Sequence, residues 1–565
     1  MPWWLLGASM VATTFSTDTP NLVTDIVRTG GVAKNWVWWA FLPTGMLTAF
    51  VYAKLWRRSG VMTDLEFYSL RYSSKLAGYL RCFRAIYIGV FFNIMMMAAV
   101  SMAATKIAAV MVGIKPWQTM IVLGGVTMVF SSAGGFLGVI VSDLVLFLTA
   151  MIGAVGAAYY TLQRPEIGGL AGLMHNAAVA DKLAVLPDFS RWDFALGVFV
   201  IPLLVQWWSV WYPGAEPGGG GFVAQRMLAA KNSRHAVAAV LLFQLAHYAL
   251  RPWPWILVAL ASLITFPDLE SLHAAFPDVP AATLGNDFAY PAMLSFLPHG
   301  LLGLVVASLA AAYMSSIATQ LNWGASYVVN DFYARFVNRQ ASQLQLVRVG
   351  RITTVLLMIA AGSLALLLRH ALQVFNVLLS VGAGTGLLFL LRWYWWRINA
   401  YSEFAAMVGS FIVAVSMNAF APDTWADSTR LVISVAITTV VWVIVTLLTP
   451  PTDNETLFDF IRRVDPAGPG WTRVRATASR AGVSLPQEGV GSLAVGLVCV
   501  PVAAAGIYGT LFAIGTWLRG DHRTALALSV FPLLAMGHIL RSWGRLFDPE
   551  DETLKDEKEA LYCGH

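Results

Sequence analysis

The sequence predicts an all-α polytopic membrane protein of about fourteen spans, built around inverted five-helix repeats whose first and sixth helices are broken. Three observations carry the prediction. The chain is 58% hydrophobic and 12% charged, with a mean hydropathy of +0.65, whereas soluble domains are roughly 25% charged. About fourteen stretches are long enough to cross a hydrocarbon core of about 30 Å. Two of them, at matching positions of two five-helix halves, are interrupted by residues that stop helices.

In chain order the stretches lie near residues 3–27, 35–54, 83–112, 117–133, 136–162, 193–212, 236–265, 300–329, 349–368, 371–391, 404–420, 429–449, 491–517 and 524–540. The first is broken by Thr13, Thr14, Phe15, Ser16, Thr17, Asp18, Thr19 and Pro20. The sixth, from Phe194, is broken by Pro213, Gly214, Ala215, Glu216, Pro217 and four glycines, Gly218 to Gly221. In hydrocarbon an unpaired backbone group costs several kcal/mol, so unwound chain persists only where it lines a cavity inside the protein. Breaks at matching positions of two halves therefore imply a transporter of inverted repeats, with its binding site at the breaks.

Loop charge sets the orientation. With a cytoplasmic N-terminus, the inner loops and tail hold 25 of the 37 Lys and Arg and the outer loops 10, the bias of the positive-inside rule. Lys54, Arg57, Arg58, Arg71, Lys75, Arg81 and Arg84 crowd one inner loop, whereas the outer stretch from Pro267 to Pro298 has no Lys or Arg. Both termini are expected in the cytoplasm of a bacterial-type plasma membrane. The net charge of +6 follows from this topology and points to no nucleic acid. Cys82, Cys499 and Cys563 fall at inner or intramembrane positions, so no disulfide is expected. The N-terminal apolar segment lacks the basic flank and cleavage site of a signal peptide. The polar stretch from Pro450 to Gln487 reads as a cytoplasmic loop, and the acidic tail from Asp548 to Glu559 as solvated surface.

The eighth span reads Ala310-Ala311-Ala312-Tyr313-Met314-Ser315-Ser316-Ile317-Ala318-Thr319. Its small residues permit close helix approach, and its hydroxyls are neutral oxygen ligands of the kind a hard cation such as sodium takes. The first break adds loose carbonyls around Ala12 and Phe15. The alternative is that Ser315 and Ser316 bond back to carbonyls four residues earlier in their own helix. Asp143, within the fifth span, is a costly and usually functional intramembrane carboxylate. For a solute, the breaks supply Asp18, Thr19 and Glu216, while Trp207, Trp208, Trp211 and Tyr212 approach the second break. Carboxylates accept hydrogen bonds from hydroxyls, and aromatic faces stack on rings or attract quaternary amines. Tyr212, beside the break, is the candidate gate. Arg251 either binds a solute carboxylate or neutralises Asp18 or Glu216, the second role being favoured because unpaired intramembrane charge is rare.

The chain resembles the sodium:solute symporter family. The matching pieces are Gly7-Ala8-Ser9 with the break that follows, Gly134-Gly135 through Ser142-Asp143, Gln225-Arg226-Met227-Leu228-Ala229-Ala230-Lys231, and Ser315-Ser316 through Asn330-Asp331, in family order across roughly residues 3–450. The resemblance implies a LeuT-like core of ten helices plus accessory spans. The repeats would occupy residues 1–165 and 190–395, with accessory helices at 396–450, a cytoplasmic loop at 451–490 and two further helices with the tail at 491–565. It also implies a sodium site on Ala12, Phe15, Ala312, Ser315 and Ser316. In some members an aspartate matching Asp143 forms a second sodium site with hydroxyls of the eighth span. Here Ser316 and Thr319 are available, but Ala318 stands where those members carry serine. His247 resembles a polar sugar contact of sugar-transporting members. Members also carry a further hydrophobic helix ahead of the Gly-Ala-Ser span, at which this sequence almost begins.

The expectation is a secondary active transporter that couples sodium to a small polar organic solute by alternating access. A sugar or polyol is favoured, the alternatives being an amino-acid or carboxylate symporter or a transporter-like sensor. Proton coupling at Asp143 or Asp18 is a further reading, opposed by the neutral oxygens around Ser315 and Ser316. Enzyme motifs are missing: there is no His-Glu-x-x-His, no Cys-x-x-Cys and no phosphate loop. The implied partners are the solute, sodium and the bilayer, with no obligatory protein partner.

Overall fold

The computed structural model describes residues 1–210, 215–277, 279, 284–368, 381–382, 384–422, 424–486 and 490–547. Among these there is helix and turn but no strand, as hydrocarbon demands of a chain that must satisfy its own backbone. Eight described helices are long and apolar enough to cross a membrane: Lys75–Val112, Pro116–Leu162, His299–Val337, Gln343–Ala365, Ala400–Phe420, Asp427–Leu448, Ser492–Leu518 and His522–Arg545. Ser233–Thr265, followed by Leu269–Ala275 at 82°, forms a further bent candidate.

The difference from fourteen has identifiable sources. The fourth and fifth expected spans form one tract, Pro116–Leu162, divided at Gly135, whose φ of 55° and ψ of −167° leave the helix there. That conformation is open to glycine and strained for other residues. The second span is interrupted at residues 40 and 41, between Trp36–Trp39 and a run from Leu42 to Ser59 that starts as helix with Pro43 in its first turn and passes through a π-turn at Thr48–Tyr52. The first and sixth are broken as expected. The tenth lies largely outside the described residues.

The first span comprises Trp3–Thr13 and Asp18–Gly30, with non-helical chain between them. The sixth comprises residues 192–204 in helical turns and Gly221–Leu228, with residues 205–210 and 215–220 outside regular α-helix. The first half-helix packs on the seventh span so closely that a Cβ at Gly7 would lie 2.8 Å from the carbonyl oxygen of Ala239. The fifth span packs along the eighth, and Ser9, Asp143, Ser315, Ser316 and Thr319 are all buried between them. Towards the end of the bundle that holds Asn286 and Asp287, Lys106 pairs with Asp287 at 2.8 Å, and Arg28 donates to Asn286 and Ser262.

Candidate functional site at the first break

Where helix Trp3–Thr13 stops, its last carbonyls have no helical partner. Two are taken within the turn, Val11 O by the N–H of Thr14 at 3.2 Å and Ala12 O by the N–H of Phe15 at 3.1 Å. Two others meet the eighth span: Ser316 Oγ lies 2.9 Å from Thr13 O and 3.1 Å from Phe15 O. Ser316 therefore reaches across to the break rather than back along its own helix. Phe15 is among the expected ligands, and Thr13, rather than Ala12, supplies the second carbonyl at Ser316. Ala312 lies one turn before Ser316 and is buried. Three neutral oxygens on two helices, none carrying charge, form a donor set that suits a small hard cation.

Ser315 and Asp143 belong to a neighbouring cluster. Asp143 accepts from Ser315 Oγ at 2.7 Å and from Ser9 Oγ at 2.5 Å. Arg226, entirely buried on Gly221–Leu228, brings its guanidinium into the same space. Its Nη2 lies 3.4 Å from Asp143 Oδ2, 3.1 Å from Thr319 Oγ1 and 3.3 Å from Thr13 Oγ1, and its Nε donates to Ser9 Oγ at 2.8 Å. Of the oxygens expected to hold a second sodium, those of Asp143 and Thr319 thus meet a guanidinium that already balances the carboxylate, while Ser316 faces the first break instead. A second cation there fits poorly, since like charge is added where dielectric screening is weakest. Arg226 entered the sequence reading only as part of a motif and an inner-loop charge. The signal was its place five residues beyond the glycines, within a returning half-helix, where an intramembrane charge calls for a partner.

On the other side of the first break lies a cavity of about 70 Å³ lined by Thr14, Ser16, Asp18, Thr19, Trp38, His247 and Arg251 among others. Asp18 opens the second half-helix, a position where the helix dipole favours an anion, and accepts from Ser16 Oγ. A π-turn at Ala246–Leu250 sets His247 and Arg251 towards the break. Arg251 Nη1 donates to Val11 O at 3.1 Å and Thr14 Oγ1 at 3.0 Å, and Nη2 lies 3.4 Å from His247 Nε2. A guanidinium can only donate, so Nε2 accepts. His247 Nδ1, 3.1 Å from Thr14 Oγ1, then carries the ring proton, and the Thr14 hydroxyl turns to Val11 O at 3.0 Å. Arg251 therefore acts as a cationic cap on the carbonyl end of the first half-helix.

The remaining expected solute residues lie elsewhere. Glu216 does not line this cavity; it is buried at the second break, 2.9 Å from Arg84 Nη2. The expectation that Arg251 neutralises Glu216 is corrected accordingly: Arg84 stands in that place. Arg84 entered the sequence reading as an inner-loop charge; its place as the second residue of the third expected span was the available signal that it needs a partner. Trp207 packs its ring on Trp208 and its carbonyl accepts from Thr44, away from the first-break cavity. Tyr212 and Trp211 lie outside the described residues.

A helical membrane protein whose first and sixth spans unwind beside a buried, hydroxyl-bearing eighth helix is a transporter of the LeuT fold, not an enzyme. The chain belongs to the sodium:solute symporter family, whose model matches residues 1–411. It is similar to the sodium/glucose cotransporter of Vibrio parahaemolyticus, 24% identical over 470 residues covering 80% of this chain and 84% of that one. It is also similar to solute carrier family 5 member 4B of Mus musculus, 24% identical over 455 residues, 74% of this chain and 66% of the mouse protein. Among solved structures, a Na+-coupled sialic acid symporter shares the fold, with a TM-score of 0.61, 19% identity and coverage of 80% of this chain and 91% of that one.

Proposed function

We propose that the protein is a sodium-coupled symporter of a small hydroxylated solute, a sugar or polyol, with its cation site at the first break and its solute site in the adjoining cavity. The observation that carries the cation site is Ser316 Oγ set between the carbonyls of Thr13 and Phe15. Bound there, sodium would be held by these oxygens. A single cation is transported per cycle in this reading, because Arg226 already compensates Asp143. One charge moved through 100 mV supplies about 2.3 kcal/mol, and about 1.4 kcal/mol is tenfold in concentration. One sodium thus supports a solute gradient of roughly 40-fold from voltage alone.

The solute assignment rests on the cavity. Asp18 and Thr19 offer hydrogen-bonding oxygens and Trp38 an aromatic wall, while Arg251 is engaged with backbone and Thr14. That leaves hydroxyl-accepting chemistry ahead of carboxylate-binding chemistry. Both termini face the cytoplasm of a bacterial-type plasma membrane in this proposal.

The test is the melting temperature of purified protein against sugars, polyols, amino acids and carboxylates, in sodium and in potassium. A ligand of the folded state stabilises by RT ln(1 + [L]/Kd). Stabilisation by one sugar or polyol, seen in sodium and lost in Ser316→Ala, is the expected result. Equal stabilisation in both salts would remove the sodium site from the first break, and a response only to carboxylates would remove the sugar reading.

A further inference from the structure

We propose that the cavity beside the second break is the inner leg of the solute pathway and that the ion pair between Arg84 and Glu216 bolts it shut. The inference rests on the transport reading above and adds a closure to it. The cavity, a narrow one of about 30 Å³, lies between Tyr87 and Phe92 of the third span, Val210 and Glu216 of the sixth, and Thr385 and Phe389 towards the end of the tenth.

The carboxylate comes from unwound chain and the guanidinium from a continuous helix, Lys75–Val112, so the pair joins two different bodies. Both side chains are 1% exposed and their atoms lie 2.9 Å apart. The guanidinium also lies 4.5 Å from the ring centre of Phe389, so one cation holds the break against a third segment. The glycines serve this arrangement. Gly218 and Gly219 take φ of 77° and 89°, and a side chain at Gly220 would run into the Glu216 carboxylate. Asp64 accepts from the N–H of Gly221 at 2.9 Å and from the hydroxyl of Tyr327, while Trp56 Nε1 donates to Gly218 O at 2.8 Å. The backbone of the break is thereby anchored, and the carboxylate presents one oxygen to Arg84. Its Oε2 has no hydrogen-bond partner among the described residues.

Such a pair is a two-state device. Dry, the charges attract strongly and neither can leave without exposing the other to apolar surroundings. Once water or a hydroxylated solute enters the cavity, the local dielectric rises, Oε2 gains partners and the attraction falls towards that of an exposed pair. The bolt therefore opens to what passes through it and closes again when the cavity empties.

The experiment needs no knowledge of the solute. In a background of Cys82→Ser, Cys499→Ala and Cys563→Ser, a Thr385→Cys thiol is labelled with a membrane-impermeant maleimide in vesicles of both orientations. Labelling of the parent should be slow from either face. Glu216→Gln, and separately Arg84→Gln, should speed it by about tenfold or more from the cytoplasmic face only. Exchanging the charges, Arg84→Glu with Glu216→Arg, should return it towards the parent. Parent-like rates in both single variants, or equal acceleration from both faces, would overturn the bolt. The sodium-dependent melting shift is read on the same preparations. Where it is intact and labelling does not change, the bolt fails and the sodium site stands. Where the parent shows no sodium shift but labelling accelerates as expected, the bolt stands and the sodium site fails.

Discussion

The two breaks face one physical problem, backbone freed from a helix inside a membrane, and resolve it with opposite chemistry. At the first, a neutral hydroxyl, Ser316 Oγ, meets the carbonyls of Thr13 and Phe15, and Arg251 caps the helix end from the side. At the second, glycines loosen the chain and a full carboxylate, Glu216, is met by a guanidinium. In the functions proposed above, neutral dipoles would hold a cation weakly enough to release it in every cycle, and a buried formal pair would hold a surface closed until its surroundings change. The comparison can be broken at several points.

The largest effect is expected at Arg226, which ties both regions to Asp143. Arg226→Met leaves a buried carboxylate without its cation and should destabilise the protein by about 3–5 kcal/mol. Adding Asp143→Asn should restore most of that loss, read by unfolding in detergent; no restoration would mean that Arg226 is held chiefly by its other partners. Next is Asp18→Asn, which should weaken solute binding by about 2 kcal/mol, the scale of a hydrogen bond to a charged group. The sodium-dependent melting shift should survive, and its loss alongside solute binding would merge two sites held here to be separate. Gly220→Ala should cost about 1–3 kcal/mol of stability by overpacking against Glu216. The cost should shrink in a Glu216→Ala background, since residues in contact are not additive. The smallest effect is Ser316→Ala, with an expected rise in sodium dissociation constant of about tenfold, or about 1.4 kcal/mol. Unchanged sodium titration of melting would dismiss the serine as a ligand.

Much of the architecture was legible from local chemistry. Proline and clustered glycine resist a helix interior, so both breaks could be placed within a few residues, although Pro20 falls in the first turn of the half-helix that follows rather than in the break, and Gly221 opens the returning half-helix. The eighth span was legible as a small, hydroxyl-rich seam because Ala310 to Ala312, Ser315, Ser316 and Thr319 leave little else for that helix to present. Span count was less so: Gly135 separates two expected spans that the backbone carries in one helical tract, and the second expected span is interrupted at residues 40 and 41, just ahead of Pro43. Periodicity reports hydrophobic length, whereas the course of a helix depends on what it packs against.

Within the site, residue types were legible and their partners were not. Ser315 and Ser316 are adjacent in sequence and read as one unit, yet one faces Asp143 and the other faces the first break, because successive helical side chains point about 100° apart. Asp18 and Glu216 read as equivalent carboxylates at equivalent breaks, but one opens a half-helix in a cavity and the other is locked to Arg84.

By itself the sequence determined that this is a membrane-embedded transporter of inverted repeats, because hydrophobic length and helix breakers act locally and are written residue by residue; its likeness to the sodium:solute symporter family was carried by short motifs such as Gly7-Ala8-Ser9 and Ser315-Ser316. Only the tertiary structure decided which cation meets which carboxylate: Arg226 with Asp143, Arg84 with Glu216, and Arg251 with the end of the first half-helix. Those pairings join residues 83, 132 and 240 positions apart. Their energies depend on burial and on distances of a few ångströms, which exist only once the helices have packed.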